Sequence, residues 1–160
     1  MPDINLLSGF FQQGYLTTDI DRALAHYRDN LGVGQFHVFD TSASHPGSNL
    51  MVALGWVGNV MVELIQPRGE VPPVYADTLP DEDFAIRFHH FGYLLPDRER
   101  YRATLAALEQ QGLPVVQRRE DTGSIDLCYF DARQSLGHHL EYVHLFPDGE
   151  AFFAQIPRND

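Results

Sequence analysis

Gln12-Gln13-Gly14-Tyr15-Leu16-Thr17-Thr18-Asp19 and His90-Phe91-Gly92-Tyr93-Leu94-Leu95-Pro96-Asp97 are two copies of one pattern. Each opens on a polar side chain, carries Gly-Tyr-Leu at the same place and closes on an aspartate. The spacing that separates Gln12 from His90 also separates Glu63 from Glu141. The frames agree there too, with Val62-Glu63-Leu64-Ile65 lying over Leu140-Glu141-Tyr142-Val143. The chain is therefore read as two copies of one module, each with a polar group on an opening strand and a carboxylate on a closing strand.

Working outward, Phe10 to Thr17 reads as a strand and Asp19 as the N-cap of a helix. Ile20, Leu24, Tyr27 and Leu31 recur at helical spacing, and Gly32 supplies a left-handed stop. Phe36 to Asp40 is a short strand and Thr41 to Ser48 a loop of turn formers. Leu50 to Trp56 and Val60 to Gln66 form a hairpin turning at Gly58-Asn59. The second copy repeats the order. Ile86 to Leu95 is a strand, Asp97 caps a helix striped by Tyr101, Leu105 and Leu108, and Gly112 ends it. Pro114 to Arg118, Ser124 to Phe130 and Leu136 to Leu145 are the remaining strands. The modules span residues 10–66 and 85–146 of one structural domain, joined by an acidic, proline-rich linker over 67–84. So long a connection is expected also to cover a pocket. Residues 147–160 form a C-terminal tail whose Phe152 and Phe153, with Phe146 before it, are expected to pack onto the body or a partner chain.

The formal charge of -11 argues against nucleic acid and anionic membrane surfaces, because phosphate binding needs clustered cations. Cys128 is the only cysteine, so no intrachain disulfide and no thiolate cluster is available. Its run, Leu127-Cys128-Tyr129-Phe130, reads as a buried strand. The start of the chain lacks a signal-peptide pattern and no apolar run reaches membrane-span length, so a cytoplasmic location is expected.

Glu63 and Glu141 each sit in a strand that is apolar on both faces. For one such glutamate an edge strand open to water is the simpler account. Two at matching positions of a repeat favour a shared cation, since buried charges are paired or coordinate metals. His90 alone would be a hydrogen-bonded core residue. Its counterpart Gln12 shares with it no apolar role, only a lone pair. Gln12, Glu63, His90 and Glu141 together offer three oxygens and a nitrogen, with two carboxylates to balance a divalent ion. Zinc, nickel, cobalt, iron, manganese and magnesium all suit such a set, with open positions for substrate. His139 shares a face with Glu141 and is a pocket residue, an alternative ligand or surface; His37, Tyr129 and Arg133 are further pocket candidates. Arg87 and His89 face away from His90, and His138 and His144 away from Glu141, while His26 and His45 are expected at the surface. Asp81-Glu82-Asp83 reads as a solvated loop, and no dinucleotide-binding, P-loop or zinc-protease motif is present.

These pieces resemble the vicinal oxygen chelate superfamily, the glyoxalase / bleomycin-resistance / dioxygenase fold. The resemblance runs from about Phe10 to Phe146 and rests on the order of Gly14, the stretch from Asp19 to Tyr27, Leu31-Gly32, Val62-Glu63-Leu64, His89-His90 and Leu136-Gly137 with Glu141. It implies an α+β fold in which two βαβββ modules form a half-open mixed β-barrel with the helices outside. It carries the family's metal positions onto Gln12, Glu63, His90 and Glu141, a set similar to that of eukaryotic-type glyoxalase I. Methylmalonyl-CoA epimerases of the family typically carry glutamine where Glu63 stands, and its ring-cleaving dioxygenases need a second histidine.

The activity expected is a divalent-metal-dependent, glyoxalase-like lyase or isomerase. It would move a proton next to a chelated carbonyl, with Glu141 first and Glu63 second as base. The alternatives are an acyl-CoA epimerase and a non-catalytic binding or resistance protein that sequesters a flat apolar compound. The expected partners are a small-molecule carbonyl or aromatic substrate and, by analogy of fold, a second copy in a homodimer.

Overall fold

A computed structural model describes residues 4–160. The chain divides into two compact units. One comprises Gln12–His89 with Gln155–Asp160, the other the described residues before Gln12 with His90–Ala154.

In the first unit, β1 (Phe10–Thr17) leads into α1 (Ile20–Leu31), followed by β2 (His37–Asp40), β3 (Leu50–Val57) and β4 (Val60–Pro67). The strands run in the order β2-β3-β4-β1. The parallel β1–β4 pair flanks the antiparallel hairpin of β3 and β4. The Asp19 carboxylate accepts from the Arg22 amide, which satisfies one of the free donors at the start of α1. Gly32 closes the helix in the left-handed conformation at φ 73. Ile20, Ala23 and Tyr27 are buried against Ala53, Val62 and Leu64. Leu31, expected on the apolar stripe, is 57% exposed, because the helix stops beside it.

The linker is not structureless. Pro73–Ala76 forms a helical turn, α2, that buries Val74 and Tyr75. The His89 ring nitrogen Nε2 lies 2.8 Å from the Val74 carbonyl oxygen, and the His89 ring meets Tyr75 edge-on. His89 thus has the structural role expected of its face. The acidic run is exposed but engaged: Arg22 pairs with Asp83 at 2.7 Å and stacks over Phe84, and Arg87 pairs with Glu82.

The second unit repeats the order with β5 (Ile86–Leu94), α3 (Arg98–Gln110), β6 (Val115–Arg119), β7 (Ile125–Asp131) and β8 (His139–Leu145), arranged β5-β8-β7-β6. Asp97 caps α3 as Asp19 caps α1. Tyr101, Leu105 and Leu108 pack on Cys128, Phe130, Leu140 and Tyr142. Burial there pushes the Cys128 thiol up, so it stays a neutral core group.

One local expectation fails. Leu136 does not begin a strand. Arg133–Leu136 is a helical turn, α4, held at its start by the Asp131 carboxylate on the Arg133 amide and ended by Gly137 at φ 83. In the C-terminal stretch Pro147–Phe153 is helix α5, where Phe153 packs against Phe11 as expected of it, and Arg158–Asn159 forms β9, paired with β3. Among the described residues no helix is long and apolar enough to cross a membrane.

Candidate active site

The repeat seen in sequence is a repeat of strand register. In the first unit Gln12 is the partner of Met61 and Gly14 of Glu63. In the second, His90 is the partner of His139 and Gly92 of Glu141. Register partners present their side chains to the same face, and residues two apart share it. Each unit therefore gathers a donor and a glutamate on one face of a parallel strand pair. A glycine stands beside each glutamate and leaves that side of it without a neighbouring side chain.

In the second unit this brings two expected site residues into contact. His90 is fully buried and Glu141 is 5% exposed, with Nε2 and Oε2 3.3 Å apart. Tyr129 is the register partner of Glu141 on β7, and its ring meets that of His90 edge-on at 5.2 Å. His139 is buried on the same face, beside His90 on one side and across from Asp131 on the other. Arg133, a further pocket candidate, is bound to Asp131 at 2.7 Å. That guanidinium holds the Asp131 carboxyl well below the usual carboxylate range. A buried carboxylate beside an imidazole can share one positive charge in two ways: as a proton on the ring, or as a cation held between ring nitrogen and carboxylate oxygen.

In the first unit Gln12 is buried with its amide Nε2 3.5 Å from Met61 Sδ. Glu63 is half-buried. Its register partner on β3 is Leu54, whose own partner on β2 is His37, so His37, Leu54, Glu63 and Gly14 form one row across the sheet. His37 is half-buried and its ring lies near Phe39. His138 sits on the far side of β8 from Glu141, with its Nδ1 2.8 Å from the His139 carbonyl oxygen, and His26 is exposed near Asn30.

Sequence reasoning missed two things. It did not see that His139 and Met61 are equivalent, although the repeat spacing that joins Glu63 to Glu141 joins them too. It also left Gln117 and Arg119 unassigned. Gln117 is the partner of Tyr129 and Arg119 of Leu127, which puts both on the face of Glu141.

The donor set fits a divalent ion: two carboxylates neutralise its charge, and an imidazole and an amide add uncharged lone pairs. Glu141 and His90 are adjacent and shielded from water.

Comparison with known proteins places this arrangement. No curated protein matches the chain. Methylmalonyl-CoA epimerase from Mycobacterium tuberculosis superposes with a TM-score of 0.65 at 20% identity, over 94% of this chain and 97% of that one. A Streptomyces coelicolor methylmalonyl-CoA epimerase variant in complex with 2-nitronate-propionyl-CoA gives 0.61 at 18% identity, over 88% and 96%. A hypothetical protein from Bacillus halodurans C-125 gives 0.63 at 16%, over 86% and 94%. At these identities the likeness is one of fold, and the fold is the glyoxalase-like α+β class that the resemblance implies. The profile of the Glyoxalase/Bleomycin resistance protein/Dioxygenase superfamily matches residues 11–129, and the chain belongs to that superfamily.

Proposed function

We propose that this chain is a divalent-metal-dependent isomerase or lyase that moves a proton at the carbon next to a substrate carbonyl, with Gln12, Glu63, His90 and Glu141 as metal ligands. The observation that carries this reading is the duplicated register, in which donor, glycine and glutamate recur in the same pairing on both parallel strand pairs. Further support comes from the second unit, where His90 Nε2 and Glu141 Oε2 lie 3.3 Å apart.

A divalent ion bound there supplies Lewis-acid polarisation of the carbonyl. The protein's own groups do the rest. Glu141 is the first choice of base, because its carboxylate is shielded from bulk water and beside His90. Glu63, half-buried, is the second. Tyr129 and His139 flank Glu141 and His90, and His37 lies in the row of Glu63; they line the pocket and orient the substrate. We place the active species as a homodimer, as for other two-module folds of this kind.

A second reading is an acyl-CoA epimerase, favoured by the solved epimerases of the same fold. It uses the same proton transfer on a thioester. Glu63, where such epimerases typically carry glutamine, separates it from the first reading.

The test begins with metal analysis of protein purified without chelator, followed by reconstitution of the metal-free form. Solvent-deuterium incorporation is then followed for methylmalonyl-CoA and for the glutathione hemithioacetal of methylglyoxal. Stoichiometric metal, its loss in His90→Ala and a fall of about a hundredfold or more in Glu141→Gln are expected. Full turnover in metal-loaded Glu141→Gln would remove that residue's role. A metal-free wild-type pocket that takes up a flat aromatic compound would show a binding protein instead.

A further inference from the structure

Arg119 is a half-buried cation on β6. In its own unit Arg98 is held by Asp126 and Asp121, Arg118 by Glu109, and Arg133 by Asp131. Arg119 makes no ion pair among the described residues, and its Nε is buried with no hydrogen-bond partner. A buried donor left unmade is costly, and a guanidinium has no neutral form to retreat to. Such a group persists where something else accepts from it.

Its direction says what that is. β6 carries a bulge between Val115 and Gln117. Val115 pairs with Phe130, on the side of α3, but Gln117 pairs with Tyr129 and Arg119 with Leu127. Leu127 pairs with Val143, and Tyr129 with Glu141. The bulge thus turns Arg119 onto the face that carries Glu141 and His90. It stands one residue pair along the sheet from Glu141, about 7 Å, and two strand spacings across, about 10 Å. A span of that size suits a compact substrate a few carbons long.

We infer that Arg119 is the anion anchor of the site: its planar guanidinium takes the carboxylate or phosphate of a substrate whose carbonyl lies at Glu141 and His90. The inference rests on the reading of that site given above and adds the class of substrate, an anionic carbonyl compound. The fork of guanidinium donors matches the paired oxygens of either group.

The test uses the full chain and three probes: succinate, inorganic phosphate and neutral succinamide. Binding is measured by calorimetry and by the side-chain Nε–H resonance of Arg119, assigned by its loss in Arg119→Lys. Succinate or phosphate should move that resonance, and succinamide should not. A response to succinate alone identifies a carboxylate, and to phosphate alone a phosphate. Arg119→Ala should weaken the responding anion about tenfold or more, and Arg119→Lys less. Arg119→Gln, which keeps length and polarity, replaces Arg119→Ala if the latter does not fold. Failure of both anions to bind, an equal response to succinamide, or unchanged affinity in the variants overturns the inference. Repeating the titration with and without divalent metal separates it from the metal reading. Anion binding through Arg119 in protein that takes up no metal sustains the anchor and removes the metal. Metal uptake with anion binding indifferent to Arg119 does the reverse.

Discussion

His139 holds on β8 the place that Met61 holds on β4: each is the register partner of the donor on the neighbouring strand, His90 in one case and Gln12 in the other. The duplicated module has kept its geometry at this position while the chemistry diverged, a thioether against Gln12 and an imidazole beside His90. Met61 is fully buried, so Met61→Ala should lower stability by about 2–5 kcal/mol in urea unfolding. His139→Met should leave the fold intact and metal content unchanged. A loss of metal in His139→Met would bring His139 into the ligand set.

Asp131 titrates below an ordinary carboxylate, chiefly because Arg133 binds it. Its folded value is below its unfolded one, so it contributes stability above the unfolded carboxyl range and loses it as pH falls toward the folded value. The stability difference between wild type and Asp131→Asn should be constant from neutrality down to about pH 5 and shrink below about pH 4. Chemical denaturation at a series of pH values measures it. A difference that grows toward acid pH would reverse the assignment.

Thr104 on α3 is 1% exposed, and its Oγ1 has no hydrogen-bond partner among the described residues. Replacing it by valine keeps the shape and removes a hydroxyl that lost its water on folding. Thr104→Val is expected to stabilise the protein by about 1 kcal/mol. A thermal-melt midpoint lower than that of wild type would show that the hydroxyl is satisfied in solution.

Gly149 in α5 lies against the backbone of β7's entry: a Cβ there would stand 2.2 Å from the Ser124 carbonyl oxygen. A backbone atom cannot swing aside as a side chain can. Gly149→Ala should therefore cost about 1–3 kcal/mol, read as a shift in the denaturant midpoint without a change in slope. An alanine variant as stable as wild type would mean that α5 docks differently.

Much of this architecture was legible because it is written locally. Asp19 and Asp97 announce their helices by side-chain chemistry that acts within three residues, and Gly32 marks the end of α1 by a conformation that other residues avoid. What escaped depends on tertiary partners. β9 has only two residues, and the Asn159 side chain holds it by bonding the Gln35 and Trp56 carbonyl oxygens. Neither periodicity nor propensity signals that. α2 exists because Tyr75 and Val74 find His89. The repeat spacing singles out Gln12, Glu63, His90 and Glu141 as candidates, and the strand register repeats with it. Arg119 was hidden for a definite reason: alternation counted from Val115 assigns it to the helix side, and the bulge reverses the count.

The two compact units are interlaced along the chain, since the described residues before Gln12 belong with the second and Gln155–Asp160 with the first. A single nick between residues 68 and 85 would leave each fragment holding a strip of the other's structure. Neither half can be expressed whole from a contiguous gene segment cut at that point. During synthesis the unit that contains α1 stays unfinished until Gln155–Asp160 have been made, after the Ala154 that completes its sibling.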